Sequence, residues 1–326
     1  MLPVSCTILP TVPVIGGPGW FTERVHETAR LTELIGRHAR EGLTPTTLPG
    51  VCLLRATATT EPLGEVAEPA VAVIAQGAKE TALGGRVFPH GAGQFAIVPV
   101  ELPVIGHITQ ASPAAPLQAF VLMLRQEKIA ALLAEVSRAA TAPPRAPAAV
   151  PAGIAVSDAS PALLDAITRL LALLDEPNAA AVLAPGVERE IVWRLLTGPQ
   201  GATVRQIGLT DSRLAHLARA ITWIRGHYDQ TLRVGELAAM ATMSVTSFHR
   251  HFRALTSMTP IQFQKQIRLH EARTRLLADP GDIAGAGYAV GYSSPSQFSR
   301  EYRRMFGVPP GRHAATLRAE TPALQA

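Results

Sequence analysis

The chain has 326 residues, enough for two domains that each bury a core of their own. With 47% hydrophobic and 17% charged residues it is not a disordered chain, and its two cysteines, Cys6 and Cys52, exclude a disulfide framework or a cysteine-built metal centre. The net charge of +5 is unevenly spread: residues 212–318 hold 15 Lys and Arg against 6 Asp and Glu, leaving 15 basic and 19 acidic groups elsewhere, so any polyanion partner belongs to the C-terminal third.

Residues 1–20 carry Pro3, Pro10, Pro13 and Pro18, with no basic residue before Arg24, and read as a disordered leader rather than a signal peptide. No apolar run approaches the ~18–20 residues that span a bilayer, so no membrane partner is expected and the cytoplasm is the expected location. Residues 22–40 read as an opening helix with Thr22 as its cap. From residue 51 the pattern changes to short apolar runs broken by Gly and Pro. Strand candidates are 51–54, 71–76, 81–83, 86–88, 95–98, 104–109 and 117–124. Gly84 and Gly85, between Leu83 and Arg86, suit a two-residue hairpin in which both central residues take positive φ. Seven short strands at this spacing predict a small antiparallel barrel or sandwich, whose mouth can hold a ligand.

Residues 128–138 read as a helix and 141–151 as a Pro/Ala-rich linker. Two amphipathic helices follow at 161–174 and 185–196. Their apolar stripes pack on their own domain or serve self-association. The domain boundary is placed near Gly198–Gly201.

A scaffold helix at 214–228 opens the basic part. A short helix at 235–241 then leads through a turn to Ser244, which caps a helix at 245–255. There Phe248, Phe252 and Leu255 face inward, while Thr246, His249, Arg250 and Arg253 face out. Fifty residues on, the layout repeats. A helix at 282–289 and a turn at Gly291 lead to Ser293 or Ser294, capping a helix at 295–306. Here Phe298, Tyr302 and Met305 form the core stripe, with Ser296, Ser299, Arg300 and Arg303 on the outside and Pro295 at the first turn. This is a helix-turn-helix used twice, each second helix presenting arginine for guanine and small polar groups for base edges. The helix between the units, 260–278, offers Ile261, Phe263, Ile267, Leu269, Leu276 and Leu277 for burial. Its 19 residues span about 28 Å, near the ~34 Å repeat of a DNA turn.

These residues resemble the AraC/XylS family of transcriptional regulators over about residues 214–312. The strongest match is Val290–Pro310, VGYSSPSQFSREYRRMFGVPP, joined by Leu237-Ala238, Met243-Ser244, Phe248-His249-Arg250, Pro260 and the run Ile267–Arg273, IRLHEAR. By position, the resemblance implies that Thr246, His249 and Arg250 read bases in the first unit and Pro295, Ser296, Ser299 and Arg300 in the second. One departure from the family pattern is Gly285 where an Ile commonly precedes the buried Ala. Gly281, Gly285 and Gly287 each weaken that helix by roughly 0.5–1 kcal/mol where interior. Less sharply, Leu53–Ala56, Glu61–Leu63, Ile74–Lys79, Leu83–Phe88, Gly93–Phe95 and Glu101–Val104 resemble the cupin-like sensor domain of one AraC-type subfamily.

The implied fold is α+β: a small antiparallel cupin-like β-barrel with flanking helices, then an all-α domain with two helix-turn-helix units. The implied division is a leader at 1–20, a sensor and dimerisation domain at 21–200, a DNA-binding domain at 205–318 and a tail at 319–326. The implied partners are double-stranded DNA at an operator or promoter, RNA polymerase, a small partly apolar effector and a second copy of the chain. Activation is the expected sign, with no cofactor and no enzymatic activity. The candidates for effector contact are Cys52, which would react with an electrophile such as an aldehyde or else be an inert buried thiol, and His107. The alternatives are a cupin-type metalloenzyme fused to a DNA-binding domain, an effector-independent regulator that uses its barrel for dimerisation alone, and a non-specific architectural DNA binder. For the first, the strand region offers only His90, His107 and Glu101, without a His-x-His pair.

Overall fold

A computed structural model describes residues 19–139, 150–279 and 281–320, and the side chains within 28–138, 150–279 and 281–315. Most of the expected leader, of the expected linker and of the tail therefore lies outside the described residues, as does Cys6; residues 19 and 20, counted with the leader, are helical. The chain opens with α1 (Gly19–His38), which begins before Thr22 and leaves that residue inside the helix rather than at its cap. Strands β1 (Gly42–Pro45), β2 (Val51–Ala56), β3 (Leu63–Ala67), β4 (Ala70–Gln76), β5 (Ala78–Leu83), β6 (Arg86–Gly91), β7 (Gln94–Val98), β8 (Leu102–Gln110) and β9 (Leu117–Met123) follow. After α2 (Gln126–Ala139), β10 (Ala155–Asp158) returns to the sheets.

The strands form two antiparallel sheets, ordered β1-β2-β9-β4-β7-β10 and β3-β8-β5-β6. All seven strand candidates are strands, whereas β1, β3 and β10 left no recognisable alternation in the sequence. The Leu83–Arg86 pair closes the β5–β6 hairpin through Gly84 and Gly85, at φ of 55° and 84°, as the sequence requires.

Pairing register assigns each face. In the six-stranded sheet, Val51, Leu53, Val71, Val73, Phe120 and Leu122 are buried on the side covered by α1 and by α3 (Pro161–Ala172). Gln118 lies on that side too, since a Cβ on Gly36 of α1 would press against its amide. Each such fully buried aliphatic or aromatic side chain contributes ~1.5–3 kcal/mol. The alternate residues, among them Cys52, Leu54, Ala72, Ala119 and Val121, look across at the second sheet, where Leu54, Ile74 and Ala119 cluster with Ile108 of β8.

A 3₁₀ turn at Leu173–Asp175 leads to α4 (Pro177–Thr197), which begins eight residues before the expected start and carries Pro185 in its interior. The alanine-rich turns at 179–184 favour helix strongly enough to outweigh the one hydrogen bond that Pro185 forfeits. Next comes α5 (Gly201–Gly208), a helix the sequence reading did not anticipate at its domain boundary. It packs on α2 so tightly that a Cβ on Gly208 would overlap Ile129.

The remaining helices are α6 (Arg213–Gly226), α7 (Val234–Met240), α8 (Val245–Thr256), α9 (Pro260–Ala278), α10 (Ile283–Ala289), α11 (Pro295–Phe306) and α12 (Pro310–Glu320), the last not anticipated. The second sheet docks on α8 and α9. A Cβ on Gly64 would overlap the His270 ring, one on Gly84 would meet Ser257, and one on Gly153 would overlap the Leu255 carbonyl. Arg273 Nη1 donates to the Gly64 carbonyl at 3.0 Å, and Arg225 pairs with Glu101. Burial, and secondarily the Arg273 charge, hold the His270 imidazole down to about 4, so it sits neutral in this contact at neutral pH.

Candidate nucleic-acid interface

In the first unit, α7 buries Leu237 and Ala238, and residues 241–244 make the turn. Ser244 Oγ accepts from the Ser247 amide at 3.3 Å, so the expected cap starts α8. Phe248, Phe252 and Leu255 are fully buried, with Phe252 edge-on to Phe263 of α9 at 5.5 Å. The opposite face exposes Thr246, His249, Arg250 and Arg253. Burial, then the Arg250 and Arg213 charges, lower the pKa of the half-buried His251 beside them.

In the second unit Ser294, not Ser293, supplies the cap, accepting from the Gln297 amide at 3.4 Å with Pro295 at the first turn. Phe298 and Tyr302 are fully buried, while Met305 is only half-buried and lies at the edge of the core stripe. Pro295, Ser296, Arg300 and Arg303 are exposed and Ser299 half-exposed on the outer face. Thus each set of proposed base-reading residues shares one helix face, and the two faces belong to helices flanking α9.

The spacer α9 has the bounds read from the sequence, Pro260–Ala278, and its start is fixed by a capping box in which Thr259 and Gln262 bond across Pro260. Phe263, Ile267, Leu269 and Leu276 are buried on it, but Ile261 and Leu277 are exposed, contrary to the sequence reading. Both positions fall outside the stripe that α9 turns toward its neighbours. Arg268 clamps α9 to both units' surroundings. Its guanidinium donates to the carbonyls of Tyr228 at 2.6 Å, Gly291 at 2.9 Å and Gln230 at 2.9 Å.

The two units are not identical. The turn of the second, residues 290–294, is one residue longer than that of the first. Where Gly291 takes φ of 86°, Thr242 takes 54°; where Gly307 closes α11 at 76°, Ser257 closes α8 at 59°. Left-handed backbone at Thr and Ser costs on the order of 1 kcal/mol each, and only the glycines announce it in the sequence.

The effector candidates are not brought together. Cys52 lies half-buried on the inner face between the sheets, where burial, then Glu68, pushes its thiol pKa up and keeps it protonated. His107 is paired in register with Glu80, its Nδ1 3.8 Å from the carboxylate, on the face of β8 that also carries Ile105 and looks away from the inner face. His90, opposite Lys79 in register, is buried and held down to about 4 by desolvation, against the hydrogen bond to the Phe88 carbonyl. Among the described residues, no three His, Cys, Asp or Glu side chains are grouped to hold a metal ion. No helix among them is long and apolar enough to cross a membrane.

Comparison with known proteins agrees with this geometry. Residues 47–203 match the model of the AraC-type transcriptional regulator N-terminus, and residues 237–315 match that of a helix-turn-helix domain. The HTH-type transcriptional activator RhaS of Escherichia fergusonii is 26% identical over 149 residues, 45% of this chain and 52% of that protein. The HTH-type transcriptional regulator ArgR of Pseudomonas aeruginosa is 28% identical over 141 residues, 43% of each chain. The match thus spans about half the length of these curated relatives. Among solved structures, ToxT of Vibrio cholerae with a bound unsaturated fatty acid superposes with a TM-score of 0.50 at 9% identity, over 81% of this chain and 93% of that one. ToxT with bound (E)-4-(8-methylnaphthalen-1-yl)but-3-enoic acid gives 0.51 at 9%, over 82% and 98%. At that identity the likeness speaks for the fold, two antiparallel sheets with a helical C-terminal domain. With both of its halves matched and the motif residues at their expected positions on α7 to α11, the chain belongs to the AraC/XylS family of transcriptional regulators.

Proposed function

We propose that the chain is a sequence-specific DNA-binding regulator of transcription, in which α8 and α11 enter successive major-groove segments on one face of a duplex. Thr246, His249 and Arg250 read one segment, and Pro295, Ser296, Ser299 and Arg300 the other. Arg253 and Arg303 contribute at the same faces. The observation that carries this reading is the pair of exposed arginine-bearing faces on two helices of like construction, flanking one 19-residue helix. Residues 205–318 act as the DNA-binding domain. Residues 21–200 act as the sensor and dimerisation domain, with the inner face around Cys52, Leu54, Ala72 and Val121 taking a small, partly apolar effector.

Exposed Val182, Leu183 and Trp193 on α4 support self-association. Activation is the sign that the transcriptional activator RhaS carries, and it makes RNA polymerase the second partner, in the cytoplasm. The chain carries out no catalysis of its own. The test is binding of the full chain to genomic fragments selected by the protein itself, measured against random DNA over a salt series. A sequence-specific regulator keeps a preference of about 10³ or more for its operator. Equal affinity for both, falling together with salt, would make it an architectural binder.

A further inference from the structure

The second recognition helix is held by a polar network that the first lacks. Glu301 sits on the inner side of α11, immediately after Arg300, with its side chain 12% exposed. Its Oε1 accepts from Lys265 Nζ of α9 at 2.9 Å and from Gln297 Nε2 at 3.2 Å. Its Oε2 accepts from the Tyr292 hydroxyl at 2.9 Å. Burial raises the carboxyl's pKa, but the hydrogen bonds from Lys265, Gln297 and Tyr292 and the Lys265 charge outweigh it and hold Glu301 below the usual carboxylate range. It is ionised and its lone pairs are well used. Fifty residues earlier, the corresponding position on α8 is His251, which makes no comparable link to α9. There the helix is fixed instead by the edge-on contact of Phe252 with Phe263.

The asymmetry has a physical reason. The second turn is one residue longer, and Tyr292 in it is 5% exposed. Helix α10 buries only Ala286 and Gly287 where α7 buries Leu237 and Ala238, so it offers α11 little apolar surface to lean on. Glu301 reaches both neighbours that can compensate, the long turn through Tyr292 and the spacer helix through Lys265. Arg268 holds the same turn from the other side through the Gly291 carbonyl.

We infer that Glu301 is the positioning residue of the second unit: bound to Lys265 and Tyr292, it fixes the rotation of α11 about its own axis and so aims Ser296, Ser299 and Arg300. It touches no DNA itself, since its side chain faces α9. This inference rests on the two-unit reading above. It predicts a defect confined to one half of the operator. A purely structural residue would weaken both halves, because both units share α9.

The experiment uses the full chain and three DNAs: the selected operator, the operator with only its second segment scrambled, and the operator with only its first segment scrambled. Wild type should bind each scrambled DNA more weakly than the operator. Glu301→Ala should lose about tenfold or more on the intact operator and on the first-scrambled DNA, and should bind the second-scrambled DNA as wild type does. Glu301→Gln, which keeps the size and the Tyr292 bond but not the charge pair, should lose less. The exchange Lys265→Glu with Glu301→Lys, which restores an ion pair across the same gap, should recover most of the discrimination. Glu301→Ala behaving as wild type on all three DNAs, weakening all three equally, or gaining nothing from the exchange would each overturn the assignment. A wild type indifferent to the second segment would instead overturn the two-unit reading, and this inference with it.

Discussion

Replacing Arg250 and Arg300 together by alanine lowers affinity for the operator by about 2–6 kcal/mol, the sum of two losses of ~1–3 kcal/mol each. The sum applies because the two arginines lie on different helices flanking a 19-residue spacer, too far apart to share partners. Both are exposed on the faces opposite the buried Phe248 and Phe298, so truncating them removes nothing from either core. Fluorescence anisotropy on operator and random DNA separates their roles. A loss on the operator with random DNA little changed marks them as base readers. An equal loss on both makes them phosphate contacts, whose removal also flattens the salt dependence.

Truncating Phe298 to alanine should cost about 3–5 kcal/mol of stability in the second unit. Its ring is fully buried among Leu269, Leu276, Tyr292 and Tyr302, tilted on Tyr292 at 5.4 Å and edge-on to Tyr302 at 5.5 Å. It also lies against Gly287, where an added Cβ would stand 3.0 Å from the ring, so α10 and α11 meet through this side chain. Fixed backbone on one side and two hydrogen-bonded tyrosines on the other leave the site little room to collapse, which places the cost well above that of a solvated position. Native-state hydrogen exchange reads it as lost protection of the α11 amides. Ile261→Ala, at a position 53% exposed, should stay within ~0.5 kcal/mol of wild type. A Phe298→Ala variant as well protected as Ile261→Ala would contradict the packing described.

Where local chemistry decides an element, the sequence announces it. The start of α9 was read at Pro260, that of α11 at Pro295 after Ser293 or Ser294, and the β5–β6 turn at Gly84-Gly85. Apolar periodicity likewise revealed which faces of α8 and α11 look out, and with them every proposed base-reading position except Pro295, which the family resemblance supplied. What stayed hidden depends on partners far along the chain. Strand β3 carries a glycine because His270, more than 200 residues on, occupies the space its Cβ would need, and that glycine erases the alternation that marks a strand. Helix α5 is bracketed by Gly201 and Gly208, which read as breakers but are small because Leu196 and Ile129 press on them. The left-handed turns at Thr242 and Ser257 are imposed by the units they close, and nothing in those residue types signals them.

The candidate site divides in the same way. Its outer face is a list of residue types at helical spacing and was legible. Its supports are the Arg268 fork onto three carbonyls and the Glu301 network; apart from the Gln297 bond within α11, they join residues 9 to 40 positions apart and needed three dimensions. In the barrel, strand alternation alone did not say which side was inner. Cys52 falls on that side and His107 on the other, so the pair does not make one effector site.

Hydroxyl-radical footprinting of the full chain on its selected operator probes the two-unit arrangement most directly. The account predicts two protected stretches centred about one helical turn apart, ~34 Å, on the same face of the duplex, with Arg250→Ala fading one and Arg300→Ala the other. A single protected stretch, or none at any sequence, would contradict it.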